Sequence, residues 1–242
     1  MQKLSKTILL LGFLTLVLTA CSLGITQEVE QPGSELAAPT IAAPAEESAA
    51  EESAVEEPAA DTGSAKTVFT IDQSASQARF ELDEELRGQP KTVVGTTDQV
   101  AGQIAFNLSD LSTAQVGQIL INAGMFTTDS SLRNRAIRDR ILNAGDFELI
   151  TFTPTAVNGL PAEAAVGDEI TFTIDGDLTI RDITNPVTFE VTATAVTADQ
   201  ISGTAGTIIN RADYNLNIPS VPNVANVEEQ VELILDFVAN AS

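Results

Sequence analysis

Residues 171–180 read Thr-Phe-Thr-Ile-Asp-Gly-Asp-Leu-Thr-Ile, with apolar side chains at the even positions apart from Gly176, and hydroxyls and carboxylates at the odd ones. A period of two sends successive side chains to opposite faces, so the segment predicts a strand with one buried and one wet face. After a turn expected at Asn185-Pro186, Val187, Phe189, Val191, Ala193 and Ala195 alternate with Thr188, Glu190, Thr192 and Thr194. The same alternation runs through Phe80 and Leu82, through Ile104, Phe106 and Leu108, and through Val231, Leu233, Leu235 and Phe237. Further strands are expected at 68–72, 118–123, 149–157, 201–210 and 214–218. Together they predict an antiparallel sheet closed or folded on itself. A barrel and a two-sheet sandwich share this pattern, so periodicity alone leaves both open. The wet outer face argues against a membrane-spanning barrel, whose outside is apolar.

One segment breaks the period of two. Thr128-Asp129-Ser130-Ser131 supplies N-cap side chains, Ile137 and Ile141 stand four apart within 132–142, and Asn143-Ala144-Gly145 offers a stop. This predicts a short helix inserted between strands. It carries Arg133, Arg135, Arg138 and Arg140, four of the ten basic residues in 66–242. They read as a solvated face paired with acidic neighbours, or as a cationic spot at the mouth of a pocket.

Outside these segments the composition changes twice. Lys3 and Lys6 precede an apolar run from Thr7 to Ala20. As a helix this run would rise only about 21 Å, short of a hydrocarbon core of about 30 Å, so residues 1–20 are expected to be a secretory signal peptide. The run ends in Leu18-Thr19-Ala20-Cys21, which resembles the bacterial lipobox and implies that Cys21 is acylated and anchors the mature chain in a membrane. Residues 21–65 then hold ten acidic residues, no basic ones, and mostly Ala, Pro, Ser and Thr besides. Such a stretch buries too little apolar surface to offset its ordering entropy and is expected to be a disordered spacer, on the order of 35–40 Å end to end. Residues 66–242 remain as one folded domain.

The charge divides unevenly among the segments. Twelve basic and 34 acidic residues give −22 overall, of which the domain carries −14 from ten basic and 24 acidic side chains. This balance argues against nucleic acid, whose binding needs clustered Lys and Arg. Without a histidine there is no His-based nucleophile or general base, and a single cysteine allows no internal disulfide. No cofactor or metal is expected.

Several elements, taken in order, resemble the YceI-like family of secreted lipid-binding proteins. They are Thr128-Asp129, Arg138-Asp139-Arg140-Ile141-Leu142, Asp146-Phe147 and Ile150-Thr151-Phe152, then Gly176-Asp177-Leu178-Thr179-Ile180 leading into Ile183-Thr184-Asn185-Pro186-Val187, and finally Arg211-Ala212-Asp213-Tyr214. The likeness covers 67–238. It departs where the family commonly has a histidine in a Leu-Thr-x-His-Gly turn, since Arg181-Asp182 stands there, and where a histidine often follows the Arg-Asp pair. The resemblance implies a lipocalin-like, eight-stranded antiparallel barrel holding a polyisoprenoid or similar long-chain lipid in an elongated apolar pocket.

Such a pocket needs inward apolar side chains and no uncompensated charge. The candidate lining is Phe80, Phe106, Leu108, Ile119, Ile121, Phe126, Phe147, Phe152, Phe172, Ile174, Leu178, Phe189, Val191, Leu216, Leu233 and Phe237, with Tyr214 as a polar member and Arg138, Arg140 and Arg181 as candidate head-group residues. Each apolar member could equally be plain core. Two rival functions are a ligand-free adhesion or structural module of the cell envelope, and a hydrolase using only carboxylates, Asp139 with Asp146 or Asp175 with Asp177. A homodimer is left open. Replacing Cys21 with Ser is expected to release the protein from the membrane fraction, read by fractionation and blotting; retention in the membrane would remove Cys21 as the anchor.

Overall fold

The protein is described here from a computed structural model that covers residues 36–40 and 66–242; the expected leader, Cys21 and most of the acidic stretch lie outside the described residues. Within that stretch 36–40 has no regular secondary structure. Leu36 is held there by the Gln73 side chain, which accepts from its amide at 3.3 Å and donates to its carbonyl at 2.5 Å.

Alternating segments become strands: β1 (Thr67–Ile71), β2 (Gln77–Leu86), β3 (Gln89–Thr97), β4 (Val100–Ala101), β5 (Gln103–Asn107), β6 (Asp110–Val116), β7 (Ile119–Asn122), β8 (Leu149–Asn158), β9 (Glu169–Ile180), β10 (Ile183–Thr197), β11 (Gln200–Asn210), β12 (Val224–Ala225) and β13 (Gln230–Ala241). Several are pieces of longer arms. Thr67 lies opposite Phe106 and Thr70 opposite Gln103, and further along Ala78 lies opposite Thr97 and Leu86 opposite Gln89. Residues 67–86 and 89–107 are therefore one long hairpin with a break in each arm. A third composite arm joins β6 and β7, since Ile104 faces Val116 and Ala101 faces Leu120.

From β7 the order runs β8, β9, β10, β11, β13, every pair antiparallel. β13 then returns to the first arm, with Ala239 opposite Ile71 and Leu233 opposite Phe80. Three composite arms and five single strands thus close an eight-stranded lipocalin-like barrel with the short helix as its one insertion. Closure pairs most strand edges; β3 apart from its bridge at Thr96, and β10 before Glu190, keep one side open.

The inward faces follow the sequence period. Ile174, Leu178 and Ile180 on β9 and Val191 and Ala195 on β10 are buried. On β8 the register shifts between Pro154 and Ala156, and this bulge moves the inward parity from Ile150 and Phe152 to Val157. Two glycines make room for rings on the strand alongside. A Cβ at Gly95 would lie 2.2 Å from Phe80, and one at Gly176 would lie 2.5 Å from Phe152. Phe80 in turn meets Phe126 edge-on at 5.4 Å, and Phe152 meets Phe189 at 4.9 Å.

The inserted helix is α1 (Ser131–Ala136), capped by Ser130, whose hydroxyl accepts from the Arg133 amide at 3.4 Å. It runs on as a π-turn over Ile137–Ile141 and stops where Asn143 takes φ 48°. Two expectations are corrected. The β9–β10 turn falls at Arg181 (φ 59°) and Asp182, not at Asn185-Pro186. Pro186 is tolerated inside β10 because β11 joins only from Glu190, leaving an open edge beside the proline. The strand expected at 214–218 is absent: 211–214 is a 3-10 turn, and Asn215 in the left-handed region (φ 50°) turns the chain away.

Tyr214, on that turn, is 1% exposed and its hydroxyl has no hydrogen-bond partner among the described residues. Burial, with the charge of Asp213 beside it, pushes its phenol up from the ordinary 10.0. A phenol raised in the folded state adds stability that is complete below the unfolded value and is lost as pH rises through the folded one. Tyr214→Phe should therefore flatten the alkaline loss of stability above about pH 10. Near neutrality it should leave stability unchanged or raise it by about 1 kcal/mol, because an orphaned hydroxyl is removed. Urea titrations across pH test this; an equally steep alkaline loss in the variant would assign the transition to another group.

Candidate ligand-binding site

The barrel is not filled to its axis. A cavity of about 190 Å³ opens between the walls formed by β5 to β11 and β13. At ~10–15 Å³ each it has room for roughly 13–19 water-sized spheres. If left empty, a hole of this size would cost on the order of 4–5 kcal/mol, at ~24 cal/mol per Å³. Its cause is visible in the sequence: Ala193 and Ala195 on β10, Ala205 on β11, Ala78 on β2 and Ala114 on β6 reach it with only a methyl, among rings and branched chains.

Of the candidate lining, Phe106, Leu108, Ile119, Ile121, Phe126, Phe152, Phe172, Ile174, Leu178, Phe189, Val191, Leu233 and Phe237 surround this cavity. A second cavity of about 140 Å³ shares Phe126, Ile150, Ile180 and Leu233 with the first. Phe80 and Leu216 line the second one, together with Ile137, Ile141 and Leu142 from the helical insertion. The two isoleucines spaced for a helix thus roof a cavity.

The first cavity has one charged residue in its lining, Arg79, whereas the second has three: Glu84, Arg133 and Arg211. Glu84 is buried and accepts on Oε1 from Arg133 Nη2 at 2.6 Å. Arg133 Nη1 donates to Asp129, which Lys91 also pairs. The Lys91 hydrogen bond, with the charge of Arg133 beside it, holds the Asp129 carboxyl below its usual range. Arg211 donates Nε to the Glu228 carbonyl at 2.7 Å, Nη1 to the Leu216 carbonyl at 3.1 Å, and Nη2 to the Val227 carbonyl at 3.3 Å and the Glu229 carboxylate at 2.9 Å. It staples the 215–229 segment over the barrel end. Of these three, Arg133 belongs to the arginine group read as a cationic spot at a pocket mouth, whereas Glu84 and Arg211 were not among the candidate site residues. Glu84 was legible all the same, for it shares the parity of Ala78, Phe80 and Leu82 and so had to point inward; the Arg133 partner, 49 positions away, was not.

The remaining candidates lie outside both linings. Arg138 and Arg140 are exposed on the π-turn, and Arg138 pairs with Asp139 at 2.7 Å. Arg181 stands over the Phe147 ring at 6.0 Å, and its Nη1 reaches the carbonyls of Asn215 at 3.4 Å and Ile141 at 3.5 Å, joining the helix end to the later loop. Phe147 and Tyr214 flank this arrangement and do not reach a cavity wall. The carboxylates proposed for catalysis face outward. Arg138's hydrogen bond holds Asp139 below the usual carboxylate range, Asp146 accepts from Asn143 at 2.9 Å, and Asp175 accepts from Thr188 at 2.5 Å and Asn158 at 2.9 Å. Among the described residues no group of three acidic or cysteine side chains is placed to hold a metal ion, and no helix is long and apolar enough to cross a membrane.

Comparison with known proteins meets this geometry. A UPF0312 protein of Staphylococcus aureus strain MSSA476 is 27% identical over 157 residues, 62% of this chain and 83% of its own length. Among solved structures, a polyisoprenoid binding domain from Saccharophagus degradans, implicated in plant cell wall breakdown, superposes with a TM-score of 0.55 at 17% identity, covering 73% of this chain and all of that one. Burkholderia cenocepacia BcnA superposes with a TM-score of 0.54 at 18% identity over 70% of this chain and 99% of its own. The YceI-like domain matches residues 69–239, and the chain belongs to the YceI-like family.

Proposed function

We propose that the barrel binds a long-chain isoprenoid or similar amphiphile and acts as a carrier or store without catalysis. The observation that carries this reading is the 190 Å³ apolar cavity within a closed barrel. A fold that leaves such a space unfilled forgoes packing energy that an apolar guest restores. At ~0.8 kcal/mol per buried methylene, a tail of about a dozen carbons offers nearly 10 kcal/mol before the costs of association and ordering. Likeness to a domain described as polyisoprenoid-binding points the same way.

The proposal extends to location. With Cys21 acylated behind its signal peptide, the acidic 21–65 spacer would hold the barrel on the extracytoplasmic side of a membrane, within reach of lipid. The outward, hydrogen-bonded carboxylates support binding over hydrolysis, since a general acid needs a desolvated carboxyl.

Organic extraction of the purified protein followed by mass spectrometry should release a long-chain lipid. Recovery of none, with no quenching of an added polyene probe, would favour the ligand-free envelope module instead. A second test separates pocket from core. Ala193→Phe puts a ring into the first cavity and should leave the barrel folded, with stability changed by no more than about 3 kcal/mol. Polyene affinity should fall at least tenfold, and unchanged affinity in the folded variant would place the ligand elsewhere.

A further inference from the structure

Building on the isoprenoid-binding reading, we propose that the second cavity receives the polar end of the ligand and that Glu84 selects a hydroxyl there, making the preferred ligand an isoprenoid alcohol or phenol and not a phosphate ester. The two cavities are adjacent, with Phe126, Ile150, Ile180 and Leu233 in both linings, and a chain whose tail fills the first reaches the second when these side chains part. In the first the one charged lining residue, Arg79, is already engaged by Glu81 and Asp236. A buried carboxylate waits in the second.

Glu84 is 8% exposed and uses one oxygen for Arg133; Oε2 accepts no hydrogen bond from the described residues and is not sealed against its surroundings. An ionised carboxylate oxygen at a cavity wall is a strong acceptor, and a hydroxyl that donates to it forms a charge-assisted bond. The cations of the second cavity's wall, and Lys91 behind them, are already committed. Arg133 is divided between Glu84 and Asp129, Lys91 is on Asp129, and Arg211 is held by three carbonyls and Glu229. Three positive groups therefore stand against three negative ones. A phosphate ester would bring further negative charge into a cavity whose lining cations, Arg133 and Arg211, are both committed, and against a carboxylate. The domain's net charge of −14 acts in the same direction.

The test is competition for a bound polyene by three twenty-carbon probes on the delipidated full chain: geranylgeraniol, geranylgeranyl diphosphate and the headless hydrocarbon phytane. Geranylgeraniol should bind at least tenfold tighter than the diphosphate and tighter than phytane. In Glu84→Gln, which keeps the shape of the side chain and removes its charge, Arg133 keeps Asp129 but loses its second ionic partner, leaving positive charge at the cavity wall. The ratio of alcohol to diphosphate affinity should then shift at least tenfold toward the diphosphate, with phytane unchanged. A wild-type protein that prefers the diphosphate would overturn the proposal without any variant, so misfolding of Glu84→Gln does not shield it. A variant that binds phytane normally with the ratio unmoved overturns it as well. If phytane and both head-group probes all fail to bind, the isoprenoid reading itself falls, which is a different result from a wrong head-group ranking.

Discussion

The architecture depends on β13 being shared. Along one side it pairs with β11 from Gln230 to Asn240, and along the other it is divided between β1 at its C-terminal end and β2 at its N-terminal end. These hydrogen bonds join the last strand of the chain to the first arm and turn a meander into a ring. Because every inward side chain then faces the inward side chains of strands on the opposite wall, the bore is set by which residues sit at inward parity. Aromatic and branched residues close most of it, whereas inward alanines, three of them on β10 and β11, leave space unfilled.

Polar groups are distributed accordingly. On the outside, threonines and carboxylates bond across neighbouring strands, as Thr179 does with Thr184 at 2.8 Å and Thr188 with Asp175. Inside, Glu84 is the buried acidic side chain among the described residues, and the helical insertion supplies its counter-ion. An uncompensated carboxylate in that position would be strongly destabilising. The insertion therefore does three things at once: Ile137, Ile141 and Leu142 roof the second cavity, Arg133 neutralises its wall, and the π-turn widens the helix where both are needed. Arg181 and Arg211 fasten the neighbouring loops by donating to backbone carbonyls. Where the family commonly has a histidine, Arg181 thus holds a turn and two loop ends together.

Strand positions and inward faces were legible because a period of two is a local property, and the strands on either side of Leu178 or Phe189 do not alter it. The misplaced β9–β10 turn shows the limit of local rules. Asn185-Pro186 is a turn signal by composition, yet Arg181 adopts positive φ and the proline is absorbed at an open edge that exists only because β11 starts late. Tyr214–Ile218 failed for a similar reason, since its apolar residues serve a 3-10 turn and a stapled loop. The arginines on the insertion were visible as a group. That Arg133 alone turns inward while Arg138 and Arg140 stay in solvent depends on how the helix lies across the barrel end.

What the sequence determined by itself is most of the strands, the face they bury and the short capped helix, which follow from periodicity over a few neighbouring residues; β3 and β6, whose alternation is weaker, were not among them. The resemblance of ordered motifs added the family. Only the tertiary structure decided that the sheet closes, that the interior is hollow, and that a carboxylate is aimed into it beside an arginine 49 residues later. Those three depend on which distant segments meet across a ring, and on the difference between the volume the backbone encloses and the volume its inward side chains fill.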